Sequence, residues 1–371
     1  MTLAPLLLAL ACTAKDAPVD SAVDDTAAST PEVLADPQTG AVELGADVTL
    51  AFGPQGHLAI GDGDNDRLVV VATGETEGNG LVRFDDLDIY QQLADAMGWS
   101  RGDVQVTDIA VNRAAGQVWV AGVTPLGETG IFAVEADGSL RLLDLSAVTY
   151  AVIPYPEVSG PGSIVTDIAW SETALVAVAT EGGWSASQVV TADLPVTHDA
   201  PALVASTNTY HRTHRAWETT APVSTLWAVE VDGVEQLAAS YACTPVVRLD
   251  LDDLRQDGSE VVGETPFDFG GGKQAMEIVV AGDWLYAGLW GLGTGSNWDA
   301  IGGARVQVSV LEQSAALDEV APVVLGGGAG ASPTTEEAEL FPPLDGAWMI
   351  DVLDDAHLVA LRDAQLVILD L

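Results

Sequence analysis

Short apolar strands separated by turns of small and polar residues recur six times along the chain. The first copy is Leu50–Val71, LAFGPQGHLAIGDGDNDRLVVV, and the second is Asp108–Gly122, DIAVNRAAGQVWVAG. The others are Asp167–Thr180, Thr225–Ser240, Glu277–Gly288 and Met349–Leu361. With the first strands aligned on Thr49, Asp108, Asp167, Thr225, Glu277 and Met349, the steps are 59, 59, 58, 52 and 72 residues. A four-stranded unit needs roughly 40–50 residues, so the surplus falls in loops. Two stretches without strand alternation, Ser206–Pro222 and Leu325–Pro343, are expected to be such loops.

Each pair of strands is followed by a third apolar run: Gly130–Val134, Gln188–Ala192, Pro245–Leu249, Ala304–Val310 and Ala364–Leu371. A more polar fourth run, such as Ser139–Leu145, suits an outermost strand. Helical periodicity is nearly absent, and Ile89–Met97 is the best short helix. Small sheets that cannot bury their faces alone must stack on one another. Six of them predict an all-β fold, a six-bladed β-propeller of four-stranded blades over residues 40–371, with no open sheet edge.

In the first copy, Gly56–Asp62 (GHLAIGD) followed by Asn65-Asp66-Arg67-Leu68 resembles the NHL repeat. In that family a glycine opens the second strand, an aspartate ends it, and an Asn-x-Arg-hydrophobic run starts the third. The second copy keeps Ile109-Ala110-Val111 and Gly116–Gly122 but lacks the Asn-x-Arg run, and later copies keep the apolar frame alone. The likeness implies a propeller of the NHL or SMP-30/gluconolactonase kind.

Residues 1–12, MTLAPLLLALAC, carry an apolar run too short to cross a bilayer, which takes about 20 residues. Such a run ending in small residues reads as a signal peptide, here residues 1–11. Ala9-Leu10-Ala11-Cys12 resembles the bacterial lipobox, which implies cleavage before Cys12 and its acylation. The acidic, small-residue stretch that follows, within residues 12–39, suits a disordered tether. The expected location is the cell envelope, as an outer-membrane lipoprotein held to the membrane by its lipid. With Cys12 acylated, Cys243 is left without a disulfide partner and reads as an inert core thiol.

Charge narrows the partners. The chain has 55 acidic and 13 basic residues, a formal net charge of −42, and only Lys15 and Lys273 as lysines. Like charge repels nucleic acid and anionic lipid headgroups, so neither is an expected partner. Screening by salt relieves the self-repulsion, which suits a saline habitat.

Candidate chemistry is sparse. Asp62-Gly63-Asp64-Asn65-Asp66 opens like a calcium loop, but Arg67 stands where that loop needs glycine and Thr73 where it needs glutamate. The basic aromatic cluster Tyr210–Trp217, with His211, Arg212, His214 and Arg215, is a candidate recognition loop for an acidic or sugar ligand. Its H-x-x-H spacing could supply two zinc ligands, short of a complete site. Asp108, Asp167 and Glu277 hold one position in three repeats, each directly before an isoleucine. On innermost strands they would face the channel, and hard oxygen ligands suit Ca²⁺. The SMP-30 resemblance implies a channel cation that polarises a substrate carbonyl, hence a metal-dependent hydrolase or lactonase. Trp119, Trp170, Trp227, Trp284 and Trp348 lie within repeated strands and are expected in the core. Trp290 and Trp298, in the Gly-rich Leu289–Gly303, are candidates for an exposed ligand face. No local nucleophile–base or cofactor motif is present, so a non-enzymatic scaffold for a protein or glycan of the envelope is the favoured function.

Overall fold

In the computed structural model, residues 32–371 are described apart from 79–80, 85, 157–163, 182–184, 212–215, 219–221, 242–244, 271–272, 293–297, 313–323 and 326–336. The signal peptide, Cys12, most of the tether and Cys243 lie outside the described residues. Glu32–Leu371 form one compact unit, a six-bladed β-propeller. Its innermost strands, which number blades 1 to 6, are Val48–Phe52, Gln105–Asn112, Ile164–Trp170, Val223–Val231, Lys273–Ala281 and Ala347–Asp354.

Blades 2, 4 and 5 are four-stranded antiparallel sheets; blades 2 and 5 are made from consecutive strands, whereas between the last two strands of blade 4 the chain pairs Glu260–Val262 with Leu203–His211 of blade 3. Blade 1 is composite. Val48–Phe52, His57–Asp62 and Arg67–Ala72 are followed outward by Val148–Pro154, which the chain supplies after finishing blade 2, and then by Gln38–Gly40. Gln38 and Thr39, expected in the tether, therefore belong to the propeller. Blade 6 likewise takes its outer strand, Leu87–Asp88, from the segment between blades 1 and 2. Directly after it comes the expected helix Ile89–Met97, capped by the Asp88 carboxylate at its start and by Gly98, at φ 73°, at its end.

The ring does not follow chain order. Each of six apolar cores lies between two blades, and the pairs are 1 with 2, 1 with 3, 3 with 4, 4 with 5, 5 with 6, and 6 with 2. Around the channel the order is therefore 2, 1, 3, 4, 5, 6. Strand alternation feeds the cores: Val69 and Val71 face blade 2, whereas Leu68 and Val70 face blade 3. This explains the unbroken apolar run Leu68–Val71, because a strand buried on both faces has no polar side to show.

Five of the six innermost strands carry a β-bulge immediately before the aligned position. The pairing shifts between Val106 and Asp108, Val165 and Asp167, Val223 and Thr225, Ala275 and Glu277, and Ala347 and Met349. The repeat alignment read from sequence is thus the structural register. One of the two expected loops, Ser206–Pro222, contains paired strands, and so does the Gly-rich stretch Leu289–Gly303. Within Ser206–Pro222, Leu203–His211 pairs with Ala216–Glu218, and within Leu289–Gly303 the strands Trp284–Leu292 and Trp298–Gln307 form a long hairpin. Threonine and aromatic residues hold extended backbone there without the usual polar–apolar alternation.

Candidate functional site: the central channel

Asp108, Asp167 and Glu277 do meet in the channel, joined by a fourth carboxylate, Asp351. In ring order the aligned positions read Asp108, Thr49, Asp167, Thr225, Glu277 and Met349. Acid and hydroxyl alternate, an order hidden in the sequence by the exchanged first two blades. Where Met349 interrupts it, Asp351 supplies the carboxylate from two residues further along the same strand, on the same face.

The carboxylates bind backbone. Asp108 accepts the Ile109 N–H at 2.8 Å through one oxygen and, through the other, the Leu50 N–H of the next blade at 2.6 Å. Asp167 does the same with Ile168 and Leu226, at 2.7 and 2.6 Å, and Asp351 with Val352 and Val111, at 2.6 and 2.7 Å. Hydroxyls return the contact: Thr166 donates to Val223 O at 2.9 Å, Ser224 to Ala275 O at 2.8 Å, and Thr49 to Val165 O at 2.5 Å. Each clasp satisfies an innermost-strand amide that the neighbouring sheet cannot reach.

Two of these aspartates, Asp108 and Asp167, are with Glu277 the residues expected to hold Ca²⁺. Calcium takes six to eight oxygens, whereas both oxygens of each aspartate are already engaged by N–H groups. Among the described residues no group of three or more acidic, histidine or cysteine side chains is placed to hold a metal ion. The Asp62–Asp66 turn is equally committed. Asp62, fully buried, accepts from Gly45 N, Asn65 Nδ2 and Arg67 Nε, and pairs with the Arg67 guanidinium at 2.8 Å, while Asp64 accepts from Ala46 N.

Burial in the channel raises all four acids. Removal from water pushes Asp351 up to about 6 and Asp167 up to about 7, against hydrogen bonds that act the other way. Asp108 and Glu277 are raised well above the usual carboxylate range, by burial first and then by the neighbouring acids. Arg113, which also lines the channel, opposes the shift at Asp351.

Cavities of about 190 and 380 Å³ open on either side of this acidic waist, and Asp108 and Glu277 line both. Phe52, Trp170, Trp227 and Arg113 wall the smaller one, and Met276, Trp348 and Met349 the larger. Of the five tryptophans expected in the core only Trp119 is wholly buried. Trp170, Trp227 and Trp348 are channel walls, and Trp284 lies under the Arg305 guanidinium, 4.5 Å from its centroid. Trp170 is held by its Nε1 donating to Ala51 O at 3.0 Å, over Gly53, where a Cβ would come within 2.4 Å of the indole.

The cluster His211, Arg212, His214 and Arg215 follows the strand Leu203–His211 of blade 3. The side chain of His211 and the whole of Arg212–Arg215 lie outside the described residues. Beside them Tyr210 packs edge-on against the exposed Trp217, with centroids 5.7 Å apart. Trp290 sits in a strand, half-buried, and its Nε1 has no partner among the described residues. Trp298 begins the strand paired with it, and its side chain is outside the described residues.

No family model and no curated protein matches the chain. Among solved structures it is similar to YCF48 bound to D1 peptide, at 11% identity over 92% of this chain and 98% of that one, TM-score 0.38. It is also similar to the β-propeller domain of Cps50 (Swd1) from Myceliophteria thermophila, at 10% identity over 87% and 83%, TM-score 0.34. At such scores these likenesses carry no argument. The six blades themselves establish the fold, and the NHL likeness stays confined to the first copy.

Proposed function

We propose that this protein is a non-enzymatic binding propeller, carried on an exported, lipid-anchored chain, that takes its ligand on the rigid ring. One observation carries the reading: the three channel aspartates each have one oxygen on an N–H of an adjoining blade and the other on the N–H of the residue that follows. A residue that accepts two short backbone bonds is a poor base, nucleophile or metal ligand, because using it would break the contact between blades. What remains is a rigid frame with open cavities and projecting hairpins, an arrangement suited to recognition. The basic sequence from His211 to Arg215, close in the chain to the exposed Trp217, is the second candidate for recognition, suited to an acidic or sugar-bearing partner in the envelope.

The lipobox-like Ala9–Cys12 and the acidic stretch after it support an outer-membrane lipoprotein. Two measurements test the whole reading. Lactone and ester hydrolysis, with and without Ca²⁺, is expected to match the background of Asp167→Ala; Ca²⁺-dependent turnover lost in that variant overturns the scaffold. Intact mass of the mature protein from its native envelope should show acyl chains on Cys12, and an unmodified Cys12 rejects the anchor.

A further inference from the structure

One hydroxyl in the channel stands between two acids. Thr225 Oγ1 lies 2.8 Å from Asp167 Oδ2 and 2.9 Å from Glu277 Oε1, and it accepts the Ile278 N–H at 3.2 Å. A threonine hydroxyl has a single proton to give, so it donates to one carboxylate and the other contact needs a second proton. Asp167 already takes N–H bonds on both oxygens, from Ile168 and Leu226, and these favour its charged form. Glu277 takes no backbone bond, and its other oxygen makes no hydrogen bond among the described residues. The second proton therefore sits on Glu277. Burial and the charges of Asp167, Asp108 and Asp351 favour the same assignment.

The larger cavity, about 380 Å³, opens beside this carboxyl. Its volume falls within the range of small-molecule sites. Met276, Met349 and Trp348 give it an apolar, polarisable wall, while Asp47, Asp108 and Glu277 give it acid. Burial and the charge of Asp64 also raise Asp47. No lysine, arginine or histidine is among the described residues that line it. Thr107 Oγ1, also in its wall, is shielded from solvent without a hydrogen-bond partner among the described residues.

Resting on the binding-scaffold reading, we propose that this cavity binds a small organic ammonium ion, with its apolar body against Met276, Trp348 and Met349 and its charge replacing the proton on Glu277. An ammonium asks for up to three acceptors, one for each N–H, where calcium asks for six or more. Thioethers and an indole face accommodate both a hydrocarbon chain and the positive charge next to it. The proton balance is simple: the cation enters, Glu277 ionises, and the released proton passes to the buffer.

The test is calorimetry of the whole mature protein with n-butylammonium, with 1-butanol as the neutral counterpart and Ca²⁺ as the inorganic one, in salt that screens the surface charge. Repeating the titration in buffers of different ionisation heat counts protons. The expected result is saturable n-butylammonium binding with release of about one proton per ligand. Glu277→Gln, whose amide keeps the contact to Thr225, and Trp348→Ala should each weaken it by about tenfold or more. Equal binding of 1-butanol, no proton release, or unchanged affinity in both variants overturns the proposal. The proton count on the wild type needs no variant to fold. Absence of n-butylammonium binding without turnover sinks this ligand and leaves the scaffold, whereas Ca²⁺-dependent turnover removes both.

Discussion

Leu50 donates its N–H to Asp108 at 2.6 Å across a blade boundary, although the chain passes through the outer strand of blade 6 between the two residues. Asp108→Ala would leave that amide and the Ile109 amide without an acceptor. The expected cost is about 2–4 kcal/mol in urea unfolding at pH 5. A change below about 0.5 kcal/mol at that pH would show that the clasp does not hold the blades.

Acid should stabilise this protein. Asp351 at about 6 and Asp167 at about 7 both lie above the ordinary aspartate value of 3.8. The folded state therefore holds protons that the unfolded state has lost, and stability falls as pH rises from about 4 to about 7, then levels. His57, whose charged form burial disfavours, acts with the opposite sign. Unfolding curves at pH 4.5 to 8 should show the net fall, and Asp351→Asn should reduce its slope below about pH 6 while leaving the His57 contribution intact. A slope unchanged by that substitution would place the pH dependence elsewhere.

The buried pair in the first blade predicts an ordering of two variants. Asp62 is fully buried and Arg67 has a quarter of its side chain in solvent. Arg67→Ala strands the carboxylate on two weaker donors, Asn65 and Gly45, and should cost about 3–5 kcal/mol. Asp62→Ala leaves Arg67 its contact to Glu43 O and a path to water, so it should cost less. The double variant should fall short of the sum, as a thermodynamic cycle from denaturant melts would show.

At Gly53 a methyl group is enough to move a channel wall. Gly53→Ala puts a carbon within 2.4 Å of the Trp170 ring, so the indole must swing away and lose its bond to Ala51 O. About 1–3 kcal/mol of destabilisation is expected, with altered near-ultraviolet circular dichroism. An unchanged spectrum would mean that the backbone yields and the indole stays.

Much of this was legible before any coordinates. Spacing located every innermost strand, because in five of the six blades a bulge fixes the aligned residue, and Asp108, Asp167 and Glu277 fell on it. Asp351 escaped because the aligned residue in its blade is Met349; its signal was the period of two from Met349 to Asp351. The ring order was not legible. It depends on where Leu87–Asp88 and Val148–Pro154 pair, and a strand reads alike in sequence whichever blade it joins. The purpose of Trp170, Trp227 and Trp348 escaped for a related reason: position within a strand does not say which face meets a channel.

The composite first and sixth blades also set an order of events during synthesis. The first three strands of blade 1 emerge with their outer edge bare, and the strand that covers it, Val148–Pro154, follows only after all of blade 2. Blade 2 in turn waits for its other neighbour until the Ala347–Asp354 strand is made. For most of translation, then, the nascent chain carries exposed β-edges and apolar faces whose partners do not yet exist, the condition that invites wrong pairing. A chain with 55 acidic residues repels its own copies through that interval. The heavy negative charge can thus be read as protection for an assembly whose last piece is needed by its first.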